Sequence, residues 1–276
     1  AEKSIYAYTS SYEINIPGVS DFNLGDALNI VLGEVSVNFE NDEAKVNSAL
    51  KDYLAKYPKL QASYSDNTLW FKGIPAHGSM PWLGLNAGLH LLNFLGTFLD
   101  IQLLKNIFSW YEDGKGLAFD GNYTDKYFSE TSYNIGRISY ADNKLTLACN
   151  LRLPAGMNVT GILENVSKKT SSSVILLGGS DGFVSDPESD FIRILMNSYQ
   201  KETGDITSKP EAIGGGTYAR ESKNSVAFGA AFQGRDYRMH GNDEYFPIAD
   251  FYDNMQIYAH AIDDLGEYLR SGKMKF

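Results

Sequence analysis

Four histidines are the side chains of this sequence best suited to move protons or hold a metal near neutral pH, and their settings differ. His90 and His260 lie inside apolar helical patterns, where a packed or partly exposed histidine is the ordinary outcome. His77 lies in Gly73-Ile-Pro-Ala-His-Gly-Ser-Met-Pro81, where small residues and prolines at a strand's end present the imidazole from a rigid turn. That setting suits donation to charge developing on a substrate oxygen. The plainer alternative is a turn histidine bonded to a backbone carbonyl. His240, in Arg238-Met-His-Gly-Asn-Asp-Glu244, has carboxylates nearby and invites a metal, although Asp243 and Glu244 equally suit the acidic first turn of a helix.

Two segments could hold an anion. In Gly214-Gly215-Gly216-Thr217-Tyr-Ala-Arg220, consecutive glycines let backbone N–H groups converge and Thr217 adds a hydroxyl. The segment lacks the lysine of a phosphate loop and has no G-x-G-x-x-G spacing, so a carboxylate suits it better than a nucleotide. Arg152, in Cys149-Asn-Leu-Arg-Leu-Pro154, carries a planar fork suited to a carboxylate, against the alternative of an exposed strand arginine. Gly178-Gly-Ser-Asp-Gly182 matches the G-x-S-x-G of a nucleophile elbow, which must run from a strand straight into a helix. Phe183, Val184 and Ser185 intervene here, so a serine hydrolase using Ser180 with His240 or His260 is the weaker reading.

The elements that position these residues follow from pattern. Ser4 to Ile16 and Ala27 to Phe39 read as two strands, and Asn41-Asp42-Glu43 caps a helix carrying Val46, Leu50 and Tyr53 at helical spacing. Leu60 to Tyr64 and Thr68 to Ile74 form a hairpin across Ser65-Asp66-Asn67, Leu85 to Phe98 and Asp100 to Trp110 are helical, and Tyr111 to Asp125 reads as a loop. Asn134 to Tyr140 and Lys144 to Leu153 make a second hairpin, followed by a helix over Val159 to Lys168 and a strand over Ser172 to Leu177. Beyond Ser185-Asp186-Pro187 come a helix from Glu188 to Lys201, a buried strand Val226 to Phe232 and a helix from Asp250 to Leu269, an alternation that suggests the edge of an α/β domain.

Composition bounds the rest. A chain of 276 residues with 43% hydrophobic and 21% charged residues is globular and long enough for two domains. With 34 acidic against 24 basic residues its net charge of −10 repels phosphate backbones, which argues against nucleic acid as a partner. The single cysteine, Cys149, excludes an internal disulfide framework, and no apolar run reaches the roughly 20 residues that span a bilayer, so a cytoplasmic protein without a membrane partner is expected.

Gly73 to Pro81, the stretch at 150 to 156, Ile213 to Arg220, Val226 to Gly229 and Met239 to Glu244 together resemble the bacterial dipeptidase V and Xaa-His dipeptidase branch of the zinc metallopeptidases that include aminoacylase and carnosinase. The resemblance covers nearly the whole chain. It implies an α+β lid of two ferredoxin-like βαβ-type halves, about 9–99 and 127–183 within a lid domain 9–183, and then 184–276 as the C-terminal part of an α/β catalytic domain. It further implies two bridged zinc ions in the complete enzyme and a dipeptide as substrate. By the same resemblance His240 matches a zinc ligand and His77 the lid histidine that stabilises the oxyanion. Arg152 matches the arginine that holds the substrate carboxylate, Gly214, Gly215, Gly216 and Thr217 match the backbone cradle beside it, and Asn29 matches the lid asparagine that reaches the substrate.

The family also carries, upstream of its lid, a His-x-Asp motif, a bridging aspartate, a glutamate pair and a further ligand. No histidine of this chain is followed two positions later by aspartate, and the chain begins about where the lid begins. One histidine cannot hold two zinc ions. The chain by itself is therefore expected to be inactive, with an N-terminal catalytic segment as its expected companion; the alternative is a non-enzymatic module that binds carboxylates or peptides.

Overall fold

Tyr6, Tyr8 and Tyr12 alternate with Ala7, Thr9 and Ser11, and this period of two makes Ser4–Glu13 a strand, β1, with its tyrosines buried. The computed structural model describes residues 1–229, 231–232, 234–238 and 243–272. These divide into two compact units, Glu2–Gly182 and the remainder from Phe183 together with Ala1. Among the described residues there are two sheets and six α-helices.

In the first unit, β2 (Phe22–Leu24), β6 (Ser132–Ala141), β7 (Lys144–Leu153) and β8 (Ser173–Ser180) join β1 in one sheet of order β2-β6-β7-β1-β8. Strands β3 (Glu34–Asn38), β4 (Gln61–Ser65) and β5 (Thr68–Lys72) form a second sheet, β3-β5-β4. Every pairing in both sheets is antiparallel. The β4–β5 and β6–β7 hairpins turn on Asp66-Asn67 and Asp142-Asn143, all four residues at positive φ, as two-residue turns that match strand twist require. Helix α1 (Glu43–Lys56) starts where the Asp42 side chain accepts from the Lys45 N–H at 3.0 Å, and it buries Val46, Leu50 and Tyr53. Helices α2 (Ala87–Phe98), α3 (Gln102–Tyr111) and α4 (Val159–Thr170) complete the unit, α2 and α4 being capped by Asn86 and Asn158. The core is rich in aromatic rings, with Tyr8, Tyr111 and Tyr133 almost wholly enclosed.

In the second unit α5 (Asp190–Thr203) packs on α6 (Ile248–Arg270), with Ile192, Leu195, Ile257 and Ala261 buried and Ser198 donating to Asp264 at 3.2 Å. No helix among the described residues is long and apolar enough to cross a membrane.

Three expectations change. The strand expected over Ala27 to Phe39 is confined to Glu34–Asn38, because the carbonyls of Leu28 and Ile30 are taken by a side chain, Asn134, and not by a neighbouring strand. Halves at 9–99 and 127–183 do not each keep their own sheet: β1 pairs with both β7 and β8, so the large sheet is built from both ends of the unit. The buried strand expected over Val226 to Phe232 is not present in its described residues, which are irregular and half-buried or exposed. An apolar run forms a strand only where another strand satisfies its backbone, and the described residues of this unit offer none.

Candidate substrate site on the first unit

His77 and Asn29 are brought side by side by backbone pairing. Ile30 and His77 form an antiparallel bridge, the Gly78 N–H donates to the Asn29 carbonyl at 2.6 Å, and the Val31 N–H donates to the Ala76 carbonyl at 2.9 Å. Gly78 must be glycine, since a Cβ there would press on the Asn29 backbone. The imidazole is fixed by Ser79: its N–H donates to His77 Nδ1 at 3.3 Å and its hydroxyl lies 2.7 Å from the same atom. An N–H can only donate, so Nδ1 is the acceptor and the proton of the neutral ring sits on Nε2. That tautomer makes Nε2 a hydrogen-bond donor, the form needed to meet an oxyanion.

Arg152 is placed by the large sheet. It stands opposite Ser132 on β6 and Ile5 on β1, is 4% exposed, and its Nε donates to Asn150 Oδ1 at 2.9 Å. A bulge at Gly136 shifts the β6–β7 register by one residue, so that Asn134 falls opposite Asn150 and shares its face of the sheet. Asn134 Nδ2 then donates to the carbonyls of Leu28, at 2.7 Å, and Ile30, at 3.0 Å. Asn134 thus links the Asn29–His77 segment to the row Asn150–Arg152. The Asn29–His77 segment is thereby tied to the sheet that carries Arg152, although Asn134 Oδ1 itself is buried without a hydrogen-bond partner. Lys3 adds positive charge to it: the Arg152 charge, after burial, holds the Lys3 ammonium below its usual range, and Lys3 donates to the Glu130 carbonyl.

Gly214 to Thr217 belong to the second unit. Thr217 caps a short turn, Tyr218–Glu221, by accepting from the Ala219 N–H at 3.1 Å, and a Cβ on Gly216 would strike the Arg220 guanidinium. His240 lies outside the described residues. No three of His, Cys, Asp and Glu stand grouped for a metal among the described residues, which therefore do not fit a zinc centre by themselves. Ser180 ends β8 opposite Ile5, and the next helix starts at Asp190, so the strand-to-helix turn of a nucleophile elbow is not formed. His90 is a core residue with Nδ1 3.0 Å from the Tyr53 hydroxyl, and burial pushes it down to about 4. His260 Nδ1 lies 2.6 Å from Glu202 Oε1.

No protein-family model matches the chain. Curated relatives do. A "putative dipeptidase" of Staphylococcus haemolyticus is 34% identical over 212 residues, which is 71% of this chain and 44% of the relative. One of Staphylococcus epidermidis is 32% identical over 206 residues, 70% of this chain and 43% of the relative. One of Staphylococcus saprophyticus is 29% identical over 252 residues, 82% of this chain and 53% of the relative. The chain is similar to dipeptidases. It spans about half the length of these relatives. An aminoacylhistidine dipeptidase from Vibrio alginolyticus aligns over 94% of this chain and 61% of its own, with 15% identity and a TM-score of 0.43.

Sequence reading overlooked Ser79, Asn134 and Asn150. The His-x-Ser spacing at 77 and 79 is a usable signal for the first. The asparagines carry none, because counting back from the Asp142-Asn143 turn sets Asn150 against Ile135, and only the bulge corrects the pairing.

Proposed function

We propose that this chain is the substrate-clamping part of a metal-dependent dipeptidase and that the site on the first unit receives a short peptide with a free carboxylate. The observation that supports this reading is that Asn134 ties the Asn29–His77 segment to the sheet on which Asn150 and Arg152 stand. Arg152 holds the carboxylate through its charged fork, Asn29 reaches the peptide, and His77 donates its Nε2 proton to the oxygen that becomes negative when water attacks the carbonyl. On the second unit, Gly214, Gly215, Gly216 and Thr217 are suited to cradle a carboxylate through their backbone N–H groups. Residues 9–183 serve as the lid, and 184–276 are the last part of the catalytic domain.

In a complete enzyme with two zinc ions, His240 would supply one ligand and residues outside this sequence would have to supply the others. The alignments cover 43% and 44% of two of the relatives. Helix α6 exposes Phe251, Tyr252, Met255 and Ile262, an apolar face that such a segment would cover. Cys149, buried and without a disulfide, accords with a reducing, cytoplasmic setting.

Dipeptide hydrolysis by the purified chain with zinc added tests the division directly. No turnover is expected; metal-dependent hydrolysis would show that the chain holds its own metal centre.

A further inference from the structure

Beside the Asn29–His77 segment, with which it shares Val31 and Asn134, the first unit contains a cavity of about 160 Å³ between α2, α3 and the edge of β6. Its size is close to that of the roughly 150 Å³ cavities that admit a benzene-sized molecule. Tyr57, His90, Phe108, Tyr111 and Tyr133 line it, and their rings form a tight group: the His90 ring centre lies 4.6 Å from that of Tyr57 and 4.9 Å from that of Phe108. The other lining residue that decides the chemistry is Glu112, at the end of α3.

Glu112 has no ion pair with any lysine or arginine among the described residues. Burial first, and then the neighbouring Asp113 charge, raise its carboxyl above the usual range, the direction expected of a carboxylate without a cation. Burial also keeps His90 neutral at physiological pH, so Glu112 is the one charged group on the cavity wall. A negative charge beside several electron-rich rings attracts a cation and rejects an anion.

We propose that this cavity binds a small organic ammonium ion, with Glu112 as counter-charge and the rings of Tyr57, Phe108, Tyr111 and Tyr133 as its walls. The site borders the proposed peptide site through Val31 and Asn134 but does not depend on the dipeptidase reading. Rings supply attraction from several sides, while the carboxylate selects for charge over shape.

The test uses choline and its neutral isostere 3,3-dimethylbutan-1-ol, each titrated into the full chain while backbone amide NMR shifts are followed. Choline is expected to bind at millimolar concentration or below, to shift the amides of Leu89 and Gly114 on the cavity wall, and to bind about tenfold more tightly than the isostere. Glu112→Gln keeps the size of a largely solvent-accessible side chain and removes its charge, so it should leave the thermal midpoint unchanged and weaken choline about tenfold. Equal binding of the two compounds, unchanged choline affinity in Glu112→Gln, or no shift at Leu89 and Gly114 would each overturn the proposal.

Discussion

Asn134 stands opposite Asn150 across β6 and β7 because the bulge at Gly136 moves the register by one residue. Without it the side-chain period of two would turn Asn134 toward the tyrosine core and leave the carbonyls of Leu28 and Ile30 without their donor. One glycine therefore decides whether the Asn29–His77 segment is tied to the sheet that carries Arg152. A Cβ at Gly136 would fall on the Leu28 and Ala27 backbone. Gly136→Val is expected to lower stability by about 1–3 kcal/mol in urea unfolding, and an unchanged midpoint would contradict this account of the bulge.

Asn134→Ala removes two hydrogen bonds, to the half-buried Leu28 and the exposed Ile30, and leaves the segment held by fewer contacts. Amide exchange at Gly78 and Val31, whose N–H groups donate to Asn29 and Ala76, should speed up while exchange in β7 stays slow. Uniform acceleration through the whole unit would instead mean that Asn134 supports global stability.

His90 makes stability sensitive to acid. Its folded value of about 4 lies below the ordinary 6.5, so the unfolded chain binds the proton more readily between those values. Its contribution is complete above pH 6.5 and is lost as pH falls toward 4, on the order of 3 kcal/mol. Thermal midpoints measured across that range should fall more steeply for the native chain than for His90→Gln. Parallel curves would show that His90 does not titrate as described.

Much of the local structure was legible. The Asp42 cap, the Val46–Leu50–Tyr53 spacing and the two turns at Asp66-Asn67 and Asp142-Asn143 are short-range signals, and their elements form where those signals place them. What pairs at long range was not. Nothing in Ser4–Glu13 announces that it inserts between β7 and β8, and the apolar stretch after Ser225 resembles a strand although its described residues pair with no strand among the described residues. At the site, His77 was visible from its rigid setting, whereas the Ser79 contact that fixes its tautomer and the asparagine pair behind it depend on folded geometry.

Ser180 offers a check on the rival chemistry. Held at the end of β8, opposite Ile5 and well before the helix at Asp190, it lacks the turn that would activate it. A fluorophosphonate probe should leave the chain unlabelled; stoichiometric labelling at Ser180 would restore the serine-hydrolase reading.

The central claim is that Arg152 and its polar surroundings receive the free carboxylate of a short peptide. Calorimetry with a dipeptide and with the same dipeptide as its C-terminal amide measures that most directly, repeated with Arg152→Met. The account predicts that the free acid binds, and that the amide or the loss of the guanidinium weakens binding by about 2 kcal/mol or more. Equal affinity for acid and amide, unchanged by Arg152→Met, would contradict it.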